Sequence, residues 1–232
     1  METSEERVRA VVFDFDGVIA NSEPLHFRGY RDVLNVEGVD LQEADYYTKY
    51  LGYDDVAAFA AIAADRGLSW DPEHIARLVI RKAHRMEELE RDGSVLFPGA
   101  RTAIETTASL MPIAIASGAL GSEIRRVLDD ARLTKHFTAI VAAEDTAASK
   151  PAPDPYLRAV ALLAQAYGPL AAHECVAVED SRWGLESARA AGLRTVAVAH
   201  TYDERELRPS ADLVISSMEA FDVEALRRQF LD

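Results

Sequence analysis

Val8-Arg9-Ala10-Val11-Val12-Phe13-Asp14-Phe15-Asp16-Gly17-Val18-Ile19 is the stretch on which the fold is decided. Val8 to Phe15 reads as a buried strand that runs into acidic and turn residues. Asp14 and Asp16, two residues apart, project to the same side of an extended chain, and Gly17 lets the backbone turn sharply behind them. Like charges held that close are costly unless a cation lies between them. Mg²⁺ takes oxygen ligands and is commonly held by one or two carboxylates together with a substrate phosphate. Taken alone, Asp-x-Asp-Gly reads equally well as a strand-end turn with solvated acids.

Further short apolar or β-branched runs without polar alternation lie at Pro112 to Ala116, Ala139 to Ala143, Cys175 to Val178, Arg194 to Ala199 and Asp212 to Ile215. That is the pattern of a parallel sheet covered on both faces. Helical patterns separate them. Asp154 is expected to cap a helix with Pro155 at its first position, Leu157, Val160, Ala161 and Ala164 on its inner face and Gly168 at its end. Ser181 is expected to cap another that ends at Gly192. Alternating strand and helix predict an α/β fold with a doubly wound, mainly parallel sheet.

Roughly from Glu23 to Leu96 no strand is readable, and apolar residues recur at helical spacing, as in Val56, Phe59, Ala60 and Ala63 or Ile75, Leu78 and Val79. This is too long for a crossover helix. The expected organisation is a core domain of residues 1–22 and 96–232 with a helical domain, 23–95, inserted directly after the first strand. Phe97-Pro98-Gly99 marks the return to the sheet.

Other strand ends carry chemistry as well. The second ends in Ala116-Ser117-Gly118, a hydroxyl beside a flexible backbone N–H. After the third comes Ser149-Lys150-Pro151-Ala152-Pro153-Asp154-Pro155, where prolines stiffen the loop that carries an ammonium. The fourth ends in Val178-Glu179-Asp180-Ser181. In open α/β sheets ligands bind at the carboxyl ends of strands, so acid pair, hydroxyl, ammonium and acid pair are predicted to meet there.

The ordered set Asp14-x-Asp16-Gly17, Ser117, Lys150-Pro151 and Glu179-Asp180 resembles the haloacid dehalogenase-like superfamily, over most of the sheet domain. The early insert resembles that family's C1-type helical cap, in the β-phosphoglucomutase and phosphoglycolate-phosphatase-like subgroup. The resemblance implies that Asp14 is the nucleophile forming an aspartyl-phosphate and that Asp16 protonates the leaving group and then activates water. It implies that Ser117 and Lys150 hold phosphoryl oxygens, with Gly118 beside them. Mg²⁺ is then expected on Asp14, the Asp16 carbonyl and Asp180, with Glu179 a direct or indirect partner. The presence of Asp16 argues against the dehalogenase and phosphonatase branches. Phosphoryl transfer asks a protein chiefly for positioning and charge stabilisation, which these residues supply.

Ala20-Asn21-Ser22-Glu23-Pro24-Leu25-His26 resembles the subgroup's hinge into the cap. His26 reads either as a contact coupling cap closure to Asp16 or as a partly buried histidine of the first cap helix. Tyr50-Leu51-Gly52-Tyr53-Asp54-Asp55 resembles its substrate-specificity loop, with Gly52 and Tyr53 as candidate substrate contacts. The mutases carry an arginine in this loop to hold a second phosphate. Asp54 and Asp55 stand here instead, which favours a monophosphate ester with a neutral or hydroxylated tail. Tyr46, Tyr47, Tyr50 and Tyr53 read mostly as core of the insert, and Lys49 as a solvated surface lysine.

The whole chain sets the bounds. Its 25 basic and 39 acidic residues give a net charge of −14, which repels nucleic-acid backbones. The longest apolar run, Val56 to Ala64, falls far short of the ~20 residues of a membrane span, and the acidic N-terminus does not resemble a signal peptide. A lone cysteine, Cys175, in an apolar run allows no internal disulfide and fits a reducing cytoplasm. The expected partner is a small phosphorylated metabolite, with neither nucleic acid nor membrane; nothing bears on oligomeric state. The run after the first strand lacks the G-x-G-x-x-G of a dinucleotide-binding fold. A response-regulator-like module would be about half this length, and a silent binding protein would be expected to have lost Asp14, Asp16 or Lys150.

Overall fold

The computed structural model describes residues 8–51, 53–91 and 95–230. The described chain divides into two compact units, one up to Asn21 and from Val95 onward, the other between them. The first unit is built on six parallel strands: β1 Ala10–Phe13, β2 Ile113–Ala116, β3 Phe137–Val141, β4 Cys175–Glu179, β5 Arg194–Val198 and β6 Leu213–Ile215. They lie in the order β3-β2-β1-β4-β5-β6, so β1 runs at the centre between β2 and β4. Every residue of β1, β2 and β4 is buried, which is why these strands read as continuous apolar runs.

Successive side chains point to opposite faces. Val11 and Phe13 pack with Ile113, Ile115, Val176 and Val178 under Ile104, Ile124 and Leu128. Ala10 and Val12 face the other way, with Ala114, Ala177, Tyr156 and Leu163. Register levels the strand ends: Phe13 stands opposite both Ile115 and Val178, Ala116 opposite Val141, and Glu179 opposite Ala197. The residues that follow these positions therefore emerge at one edge of the sheet.

The expected strand at Ala139 to Ala143 instead covers Phe137–Val141, and a 3₁₀ turn takes Ala143–Asp145. The helix after Lys150 spans Asp154–Tyr167. Asp154 is its first residue rather than its cap; Pro153 holds that position, with no side-chain capping bond. Its buried face carries Tyr156, Ala159, Val160 and Leu163, whereas Leu157 and Ala161 are exposed. The helix Arg182–Ala190 is capped by Ser181, whose hydroxyl accepts from Gly184 N.

The second unit holds the helices Glu23–Val36, Asp55–Asp65 and Pro72–Arg91. Phe27, Tyr30, Leu34, Phe59, Ile62 and Leu78 make its core. In Asp55–Asp65 the inner face is Ala58, Phe59, Ile62 and Ala63, and Val56 and Ala60 point outward. This helix and Asp154–Tyr167 are apolar nearly all round, so spacing alone selects a face rotated from the true one. Among the described residues no helix is long and apolar enough to cross a membrane.

Candidate active site

Asp14 directly follows the central strand and is buried, its N–H donating to Val178 O at 2.9 Å. Ser117 follows the neighbouring β2, buried, with its N–H on Val141 O and its Oγ accepting from Ala119 N at 3.1 Å. Gly118 beside it is exposed, with open space where a side chain would stand. Glu179 closes β4 and Asp180 follows it, both buried. Lys150 reaches the same edge from the loop after β3. Its Nζ stands 2.9 Å from Asp14 Oδ1 and donates to Glu179 Oε1 at 2.6 Å. Asp16 sits half-buried in the turn behind Asp14.

Carboxylate oxygens of Asp14, Glu179 and Asp180 lie within 4.8 Å of one another. Burial and then the charge of Glu179 raise the Asp14 carboxyl to about 7, against a smaller downward pull from Lys150. Burial, Glu179 and Asp14 likewise hold the Asp180 carboxyl well above its ordinary range. Burial favours the neutral amine of Lys150, but Asp14 and Glu179 outweigh it and keep the ammonium above the usual lysine range. One ammonium against three buried carboxylates leaves negative charge uncompensated. Asp14 Oδ1, though ion-paired with Lys150, has no hydrogen-bond partner among the described residues. An all-oxygen cluster of three buried carboxylates with excess negative charge suits a hard divalent cation.

The three carboxylates are not equivalent. Glu179 Oε1 takes bonds from Lys150 and from the hydroxyl of Tyr156 at 2.9 Å. Its Oε2 accepts from Asp180 N, Ser181 N and Ser181 Oγ at 3.1, 3.2 and 3.1 Å. With its oxygens so occupied, Glu179 mainly anchors Lys150 and the start of the next helix. Gly184 is required there, since a Cβ would lie 1.8 Å from Glu179 Oε1. Gly17, with φ +78°, is required for two reasons: a Cβ would also fall 1.9 Å from Asp180 Oδ2.

A model of the haloacid dehalogenase-like hydrolases matches residues 11–198. The chain belongs to this family. Among haloacid dehalogenase-like proteins it is 33% identical over 227 residues to protein CbbY of Rhodobacter capsulatus, covering 94% of this chain and 97% of that protein. It is 29% identical over 193 residues to fructose-1-phosphate phosphatase YqaB of Escherichia coli K12, covering 83% of this chain and 97% of the relative. The crystal structure of CbbY from Rhodobacter sphaeroides in complex with phosphate superimposes with a TM-score of 0.77 at 26% identity, covering 92% of this chain and 96% of that one.

The helical insert carries a second polar cluster. Lys82 is buried, its Nζ on Asp55 Oδ1, 2.9 Å from His26 Nδ1 and 4.2 Å from the ring centre of Tyr30. Tyr30 also donates its hydroxyl to Asp55 Oδ1, at 2.6 Å. Burial and the Lys82 ammonium pull His26 down to about 3, so its neutral Nδ1 accepts from Lys82 at physiological pH. The acids of the specificity-loop resemblance thus have local partners: Asp54 caps its helix by accepting from Ala57 N at 2.8 Å, and Asp55 matches Lys82. Tyr46 and Tyr50 are buried, Tyr53 is exposed, and Lys49 pairs at the surface with Asp45. Gly52 lies outside the described residues.

Sequence reading missed Tyr156, Lys82 and Thr201, whose hydroxyl donates to Asp180 Oδ2. The strand-end rule that found Asp14, Ser117 and Asp180 extends to Thr201, three residues beyond β5. Nothing local marks Lys82, in a run of charged helix residues, as buried.

Proposed function

We propose that this protein is a Mg²⁺-dependent phosphatase that hydrolyses small phosphate monoesters, sugar phosphates foremost, through a phosphoryl group carried on Asp14. The observation that carries the reading is the buried Asp14 at the end of the central strand, with Lys150 at 2.9 Å and Asp180 beside it. The relatedness to a protein named fructose-1-phosphate phosphatase supports the substrate class.

In this reading Asp14 Oδ attacks phosphorus while the ester oxygen departs with a proton from Asp16. Asp16 then takes a proton from water as that water attacks the phosphorus of the aspartyl-phosphate, which releases phosphate and frees Asp14. Two easier displacements replace one difficult one. Lys150, fixed by Glu179 and Tyr156, and Ser117 hold the transferring oxygens. Asp14, Asp180 and the Asp16 carbonyl would hold Mg²⁺, with Glu179 beside them, and the bound ion supplies the charge neutralisation that lets a carboxylate approach an anionic phosphate. Burial excludes bulk water and strengthens these interactions.

The alternative is a phosphosugar mutase, whose intermediate carries two phosphates. Among the described residues Lys82 is the buried cation of the helical insert, and Asp55 already matches it. That pairing leaves Lys82 without an uncompensated charge to offer a second phosphate. The expected result is Mg²⁺-dependent phosphate release from a panel of hexose, hexitol and small-acid monophosphates, abolished by EDTA and restored by Mg²⁺. Release that persists unchanged in EDTA would contradict the metal assignment. Isomerisation of β-glucose 1-phosphate to the 6-phosphate with little free phosphate would replace the phosphatase by the mutase.

A further inference from the structure

The segment after β5 closes on the carboxylate cluster at two points. The hydroxyl of Thr201 donates to Asp180 Oδ2. His200 Nδ1 is 2.8 Å from the Gly17 carbonyl and, as the N–H tautomer, donates to it. The imidazole is stacked on Phe97, with ring centres 3.9 Å apart and planes inclined by 19°. Gly17 Cα in turn lies against Asp180 Oδ2, where any side chain would collide. Gly17, Asp180, Thr201 and His200 thus form a closed ring joining the ends of β1, β4 and β5.

We propose that Thr201 is a positioning residue of the metal site, held in place by His200, and that it orients Asp180 so that Oδ1 serves as the ligand oxygen. The proposal rests on the metal reading above. An aspartate at a strand end has two side-chain torsions and two near-equivalent oxygens. A hydroxyl on Oδ2, with Gly17 packed against the same oxygen, removes that degeneracy before a cation arrives. Groups that hydrogen-bond to a metal's ligands typically alter metal affinity by 10–100-fold when removed. Thr201 is itself exposed, which places the expected effect at the lower end, and its replacement does not disturb the core.

The test is direct Mn²⁺ binding to EDTA-stripped protein, followed by the electron paramagnetic resonance signal of the free ion. Thr201→Val keeps the shape and removes the donor; Thr201→Ser keeps the donor. Thr201→Val is expected to bind about tenfold more weakly than the natural protein and Thr201→Ser within about twofold of it, with the same thermal midpoint in EDTA for all three. Equal affinity in Thr201→Val, or a loss in Thr201→Ser as large as in Thr201→Val, would overturn the proposal and leave the metal reading intact. Failure of the natural protein to bind Mn²⁺ would overturn both.

Discussion

Asp14→Asn is expected to abolish turnover, by at least about 10⁴-fold as for the removal of other covalent nucleophiles, while leaving the fold intact. An amide is a poor nucleophile, and the remaining positioning groups cannot replace the covalent step. The fold tolerates the change because Asp14 gives its backbone, not its side chain, to the sheet: its N–H bonds Val178 O whatever the side chain. Its carboxylate is moreover destabilised by burial and by Glu179, so the neutral amide relieves repulsion. The thermal midpoint in EDTA should therefore stay level or rise. Phosphate release and thermal unfolding check this together; natural-level activity in the variant would remove Asp14 from the mechanism.

Lys150→Met is expected to damage both activity and stability. The ammonium counters Asp14 and Glu179 at 2.9 and 2.6 Å, both of them buried. Removing one partner of a buried ionic cluster costs about 3–5 kcal/mol, because the remaining charges have neither water nor a counter-ion. Loss of a donor to the transferring phosphoryl group should lower kcat about 10²–10³-fold. The stability loss depends on pH in a definite sense. Without Lys150 the folded carboxyl of Asp14 moves above its already raised value of about 7, further from its unfolded one. The unfolded state is the same for both proteins and Asp14 is neutral in both folded states well below about 7, so this part of the loss is absent there and grows as pH rises through and above about 7. Urea denaturation in EDTA at pH 5 and pH 8 measures it, with the larger loss expected at pH 8. Equal stability to the natural protein at pH 8 would show that Lys150 does not compensate buried charge.

The sheet and most of the site were legible because the chemistry sits where apolar runs stop. Val11, Val12 and Phe13 declare a buried strand, and Asp14 cannot continue it without a reason. The same logic brings Ser117 and Asp180 to that edge, and the proline-bracketed loop after β3 adds Lys150. What was illegible depends on partners distant in sequence. Tyr156 lies on a helix whose every side carries apolar residues, so its inward turn toward Glu179 is decided by packing. Lys82 is flanked by Arg81 and Arg85, both of which pair at the surface, and only Asp55 and His26 distinguish it. Asp54 and Asp55 read as free acids because a helix cap and a buried ion pair look alike in one dimension.

The stereochemical course at phosphorus distinguishes a phosphoryl group carried on Asp14 from direct attack by water. A monophosphate substrate made chiral with oxygen isotopes would be hydrolysed and the configuration of the released phosphate determined. Each in-line displacement inverts phosphorus, so transfer to Asp14 followed by attack of water predicts net retention. Net inversion would mean that water attacks the ester directly, and would contradict a phosphoryl group carried on Asp14.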